Sequence, residues 1–209
     1  MPMIDQGIYI DTGDRAYEFE SWYYLDFQIM SALRSLEKIV VPDAKDMATF
    51  NNKHQYYHYY ADHLLYSMGQ ISNRFVHNGK KDKNKTIHTE RKELNRINYK
   101  FNEKDFPILS SKQARNTIEH IEENNEIIIS SAGGVGGFNI IDEETCEMDI
   151  KLLKTKLQPY TMDLRVMKLY IVRKGKATLE IDFYQLEQEL FKLRDNIHSF
   201  WNLAHEYFF

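Results

Sequence analysis

Arg115 and Asn116 precede His120 by five and four residues in the stretch QARNTIEHIEENNE, residues 113–126, and Glu119 stands directly before the histidine. Arginine stays protonated at any pH a protein meets, and its planar fork can hold two phosphoryl oxygens at once. Histidine, with an ordinary pKa of about 6.5, can take up or deliver a proton near neutrality. Together they can carry out phosphodiester chemistry without a metal, the imidazole moving the proton and the guanidinium offsetting charge that builds on the phosphoryl oxygens. Asn116 is then a polar helper and Glu119 a candidate support. The bare Arg-to-His spacing arises by chance about once in a chain of this composition. Requiring a polar residue after the arginine and an acid before the histidine cuts that to the order of a few per cent. On an ideal helix Asn116 and His120 share a face, whereas Arg115 lies about 140° around from His120. Arg115 must therefore reach around the helix or act with the histidine of a second copy. The competing arrangement pairs Arg115 with Glu119 on the surface and packs His120 inside.

A second constellation is His54, His58 and Asp62, four residues apart in turn, with His63 alongside. Two imidazoles and a carboxylate on one helical face can begin a zinc or iron site, with further ligands from facing helices. The same stretch, HQYYHYYADHLLY, also reads as a helix that packs tyrosine and histidine against its neighbours. Cys146 is the sole cysteine, which excludes an internal disulfide and a cysteine-rich zinc site and suits a reducing, cytoplasmic compartment. The GGVGG loop at 133–137 lacks the Gly-Lys-Ser/Thr of a P-loop and reads as a mobile connection. Arg194, His198 and His205 near the end read as core positions.

Charge comes in blocks. Residues 79–104 carry nine Lys/Arg against four acids, residues 151–176 carry eight against Asp163 alone, and residues 119–149 carry nine acids and no Lys or Arg. The overall charge of −4 argues against nucleic acid, yet the blocks permit an anion-binding surface in which Lys80, Lys81, Arg91, Lys92 and Arg96 contact RNA. They equally suit solvated faces of helices and a hairpin.

Several elements must position these residues. Phe19, Trp22, Leu25, Ile29, Leu33 and Leu36 recur at three- and four-residue steps and predict a helix over 18–40 that Pro42 closes. A second pattern predicts one long helix, or two stacked pieces, from about Asp46 to the Asn-Gly at 78–79. A polar connection then leads into a charged third helix. Ser110 and Gln113 resemble a capping box, which predicts a motif helix from Ser111 to about Asn124. EIIIS reads as β-like, and DLRVMKLYIVRKGKATLEID predicts two strands turning at Lys174-Gly175. Phe183, Leu186, Leu190, Leu193, Ile197, Phe200 and Ala204 mark a closing helix. The expected fold is mainly α: an up-and-down bundle of four to five helices in one domain over 1–209, with a β-hairpin around 160–182 before the last helix. No segment is apolar enough to span a membrane, and no secretory leader is evident.

With RNTIEH at 115–120 placed on a helix of such a bundle, the chain resembles the HEPN superfamily (higher eukaryotes and prokaryotes nucleotide-binding). Its members carry an Arg-x4-6-His motif, often with Asn, Asp or His after the arginine. The resemblance covers the motif closely and the rest of the chain loosely. It implies a metal-independent endoribonuclease of toxin or phage-defence type without a cofactor, with Arg115 and His120 catalytic and Asn116 assisting. Attack by the ribose 2′-hydroxyl would leave a 2′,3′-cyclic phosphate, so DNA would be spared. It also implies a homodimer through the motif-bearing face, with an antitoxin or defence-system protein as a further partner. Alternatives are a non-catalytic HEPN-like module binding RNA or nucleotide, and a metal-dependent bundle enzyme using His54, His58 and Asp62.

Overall fold

The computed structural model of the chain describes residues 3–4, 8–9, 15–76, 85–119, 138–147, 160–172 and 178–208. A short antiparallel pair, β1 (Met3–Ile4) and β2 (Ile8–Tyr9), precedes helix α1 (Arg15–Val40). Of the two arrangements the sequence allows after α1, one long helix or two pieces, the chain takes the second. Asp43 caps the four-residue α2 (Ala44–Met47), and Asn52 caps α3 (Lys53–Asn73) by accepting the Gln55 N–H. Lys38 of α1 pairs with Asp46 of α2, which ties the break to the end of α1. Helices α4 (Lys85–Asn98) and α5 (Lys112–Glu119) follow, and α6 (Phe183–Phe208) closes the chain.

Between α5 and α6 the expectation of a lone hairpin on a mainly α bundle is overturned. Strands β3 (Phe138–Ile141), β4 (Tyr160–Asp163), β5 (Lys168–Ile171) and β6 (Leu179–Asp182) form one four-stranded sheet in the order β3-β4-β5-β6. The β5/β6 pair is the hairpin foreseen, with Ile171 opposite Leu179. The first predicted strand, however, is bent in two at Leu164–Met167, where Met167 adopts the left-handed conformation (φ 50°). The upstream half becomes β4 and pairs in parallel with β3, Phe138 opposite Tyr160. A parallel pair needs a crossover rather than a turn, so no hairpin signal marks it. With six helices and a mixed sheet among the described residues, the fold is mixed α/β.

The pieces share one apolar cluster. Phe138, Met162, Leu169 and Ile181 of the sheet join Leu25, Ile29 and Leu36 of α1, Leu64 and Met68 of α3 and Leu186, Leu190 and Leu193 of α6. α1 packs on both α3 and α6, and α5 packs on α3. Lys53 of α3 donates to Asp142 just beyond β3 (2.7 Å), which fixes the sheet against the helices. No helix among the described residues is long and apolar enough to cross a membrane.

Candidate functional site

The motif helix starts where a hydroxyl can cap it. Ser111 Oγ accepts the Ala114 N–H at 3.1 Å, so Ser111 is the cap and Ala114 the third helical residue, one step later than a Ser110–Gln113 box requires. We expect Ser111→Ala to cost about 1 kcal/mol and to fray α5, read as a loss of protection in amide hydrogen exchange over 112–116. Ala114 is buried, and Ile118, one turn on, meets Gly69 of α3. A Cβ on Gly69 would come within 3.2 Å of Ile118 Cγ2, so the glycine is what lets α5 approach α3 this closely. Asn116 lies on the opposite face and is exposed.

The turn that delivers α5 is held from several sides. α4 ends with Lys100 in the left-handed conformation (φ 51°), the Lys100 N–H bonding to Ile97 O and the Phe101 N–H to Arg96 O. That pair of bonds is a Schellman ending, here built with lysine where glycine is usual. Asn102 Oδ1 then accepts the N–H groups of Lys104 and Asp105. The rings of Phe75, Phe101 and Phe106 stack in series at 4.1 and 4.7 Å.

Three residues on one face of α6 read the same turn. Asn196 donates to Tyr99 O at 2.9 Å, Lys192 pairs with Asp105 at 2.9 Å, and the Glu189 carboxylate accepts the N–H groups of Ile108 and Leu109 at 2.9–3.1 Å. Ser72 of α3 donates to Leu109 O at 2.6 Å, so that peptide segment is gripped from both sides. Burial pushes the Glu189 carboxyl above the usual range, against the pull of those two backbone bonds.

The residues foreseen from the sequence fare differently. Arg115, Asn116 and Glu119 lie on α5. His120, and the side chains of Arg115 and Glu119, fall outside the described residues, as do Lys80, Lys81 and the 133–137 loop. Arg91, Lys92 and Arg96 lie on α4, where Lys92 donates to Val76 O at 2.7 Å and so holds the end of α3. In the second basic block Arg165 binds the buried Asp163, and Lys168 faces Glu180 and Asp182 across the sheet.

The metal constellation does not assemble. His58 pairs with Asp62 at 3.3 Å and stacks on Phe138, His63 bonds to Tyr59 O, and among the described residues no three of His, Cys, Asp and Glu converge on a metal position.

Arg194 and His198 are not core residues, as their spacing in an apolar helix suggested. Both are partly exposed on α6 and meet Asp26 of α1, Arg194 Nε and His198 Nε2 each 3.1 Å from Asp26 Oδ1. Asp26 also lines an open groove of about 760 Å³ along the outer side of α1, with Tyr23, Phe27, Arg34, Tyr59 and His63. The four-residue step from Arg194 to His198 marks a shared helical face, but their partner lies 168 and 172 residues away and no local pattern points to it. No family model matches this chain, and neither does any curated protein or solved structure.

Proposed function

We propose that the protein binds RNA and cleaves it without a metal ion, with the helix at 112–119 and His120, the next residue in sequence, supplying the reacting groups. The observation that carries this reading is the phase of α5: Ala114 is buried and Ile118 meets Gly69 of α3 while Asn116 is turned to solvent. The four-residue step in sequence from Asn116 to His120 expects the histidine on that same outward face, where substrate has access.

In this reading His120 takes the proton from a ribose 2′-hydroxyl as that oxygen attacks the adjacent phosphorus. The P–O5′ bond breaks as the departing 5′-oxygen takes a proton from solvent water, leaving a 2′,3′-cyclic phosphate and a 5′-hydroxyl. Arg115 binds the non-bridging oxygens and offsets the charge that grows on them. Asn116, a donor and acceptor beside the arginine, orients the phosphate or the arginine itself.

The test is cleavage of single-stranded RNA in excess EDTA by wild-type protein and by Arg115→Ala and His120→Ala. We expect cyclic-phosphate products from wild type, none from a DNA of the same sequence, and rates lower by about 10²–10⁴ in the His120 variant. Absence of cleavage by wild type, or equal cleavage by all three proteins, sinks the proposal. Binding of RNA by wild type without any cleavage would leave a non-catalytic module.

A further inference from the structure

Helix α1 carries an inner apolar seam that is covered and an outer one, apolar in its first half and charged in its second, that is largely open. Trp22, Leu25, Ile29, Leu33 and Leu36 face the core or its edge. On the other side Tyr23, Phe27, Met30, Arg34 and Glu37 follow one another at steps of four, three, four and three residues, the spacing of a helix-pairing seam. Tyr23 and Phe27 are 64% and 58% exposed, and Met30 is half-buried, packed at the edge of the core. Tyr59 and Tyr66 of α3, 46% and 60% exposed, extend the apolar surface beside them. Such a run of exposed large side chains is more than scattered surface residues explain.

The charges on this face are self-complementary. Arg34 is exposed and has no ion pair among the described residues. Asp26 commits Oδ1 to Arg194 and His198, which among the described residues leaves Oδ2 for another cation. A two-fold axis across the seam near its middle runs α1 antiparallel to the α1 of a second copy. Phe27 then meets the second copy's Met30, and Arg34 falls between the second copy's Tyr23 and Asp26. The reciprocal contacts repeat on the other side of the axis. An arginine over a tyrosine ring and beside a carboxylate gains from both.

We propose that a second copy of this chain docks on the outer seam of α1, antiparallel, through Tyr23, Asp26, Phe27, Met30 and Arg34. The surface is separate from the motif helix. α5 and its leading turn pack at Gly69 and Ser72 of α3, whereas α1 packs at Ser67 and Gln70, on another side of that helix. Pairing through α1 therefore leaves Asn116 outside the interface, unlike a dimer closed through the motif-bearing face.

Light scattering and sedimentation on the purified full chain test this, with wild type, Arg34→Glu, Phe27→Glu and Asn116→Ala compared at matched concentrations. We expect a dimer for wild type and for Asn116→Ala, and at least about tenfold weaker association for Arg34→Glu and Phe27→Glu. Added salt should weaken the wild-type dimer through the two Arg34–Asp26 pairs. Among the described residues Arg34 makes no hydrogen bond or ion pair within the chain, so its variant is expected to retain the fold, which circular dichroism checks independently of Phe27→Glu. A wild-type monomer, or a dimer indifferent to Arg34→Glu, overturns the proposal. Neither result bears on RNA cleavage, which has its own readout.

Discussion

Replacing Glu189 with alanine is expected to lower the unfolding free energy by about 3–5 kcal/mol, because it leaves one buried and one partly buried backbone donor without acceptors at about 1–3 kcal/mol each and removes the side-chain stem that packs beside them. Those donors belong to Ile108 and Leu109, and Glu189 is 3% exposed, so water cannot replace the carboxylate. In a chain of this size the loss corresponds to a melting temperature lower by on the order of 10 °C. The damage should be directional. Ser111, which caps α5, follows Leu109 by two residues, so hydrogen exchange in the variant should rise at 106–116 more than in the sheet.

Glutamine at the same position separates hydrogen bonding from charge. Burial raises the Glu189 carboxyl above its value in the unfolded chain, so folding favours its protonated form. The stabilising contribution is then fully present below the unfolded glutamate value and is lost as pH rises through the higher folded one. Asp105 and Asp142 behave oppositely: Asn102 and Lys192 around the first, and Lys53 and Thr145 around the second, hold their carboxyls below the usual range. What they contribute is lost as pH falls. The wild-type curve mixes both trends, but the difference between wild type and Glu189→Gln isolates one. We expect that difference in unfolding free energy, measured by urea titration, to shrink for wild type as pH climbs from about 4 to 7. A difference that is flat with pH, or that grows, contradicts the assignment.

The helices were legible because each states its buried face at short range. The three- and four-residue steps from Leu186 to Ala204 in α6, and from Trp22 to Leu36 in α1, need no knowledge of the partner. The break between α2 and α3 was written as well, in Asn52, but as a capping side chain rather than as Pro or Gly. The sheet was only half legible. Lys168–Ile171 and Leu179–Asp182 announce a hairpin because they are close in sequence, whereas Phe138–Ile141 is four residues long and finds its parallel partner at 160–163. Three apolar residues and an asparagine after a glycine-rich stretch carry no mark of parallel pairing. The same limit governs the polar contacts: Glu189 bonds to residues about 80 positions away, and Asp26 to residues about 170 away, so chemical type was visible and the meeting was not.

Phe106→Ala is expected to cost a similar amount, about 3–5 kcal/mol, by a different route. Its ring is wholly buried, stacks on Phe101 with an interplanar angle of 9°, and lies 5.9 Å beneath the Lys192 ammonium. Deleting it removes transfer energy and opens a cavity beside Phe101, which still has Phe75 on its other face and cannot follow without losing that contact. Phe106→Leu, which keeps much of the volume, should cost under about 1.5 kcal/mol, so the two variants separate filling from stacking. The informative experiment combines Phe106→Ala with Glu189→Ala. Phe106 leads into the segment that Glu189 holds, and its carbonyl accepts the Ser110 N–H within the same turn. If the turn is one cooperative unit, releasing it through the ring already forfeits part of what the carboxylate provides. The double variant should then lose less than the sum of the two by at least about 1 kcal/mol. Strict additivity would mean that ring and carboxylate stabilise separate parts of the protein, and that α5 does not depend on α6 for its position.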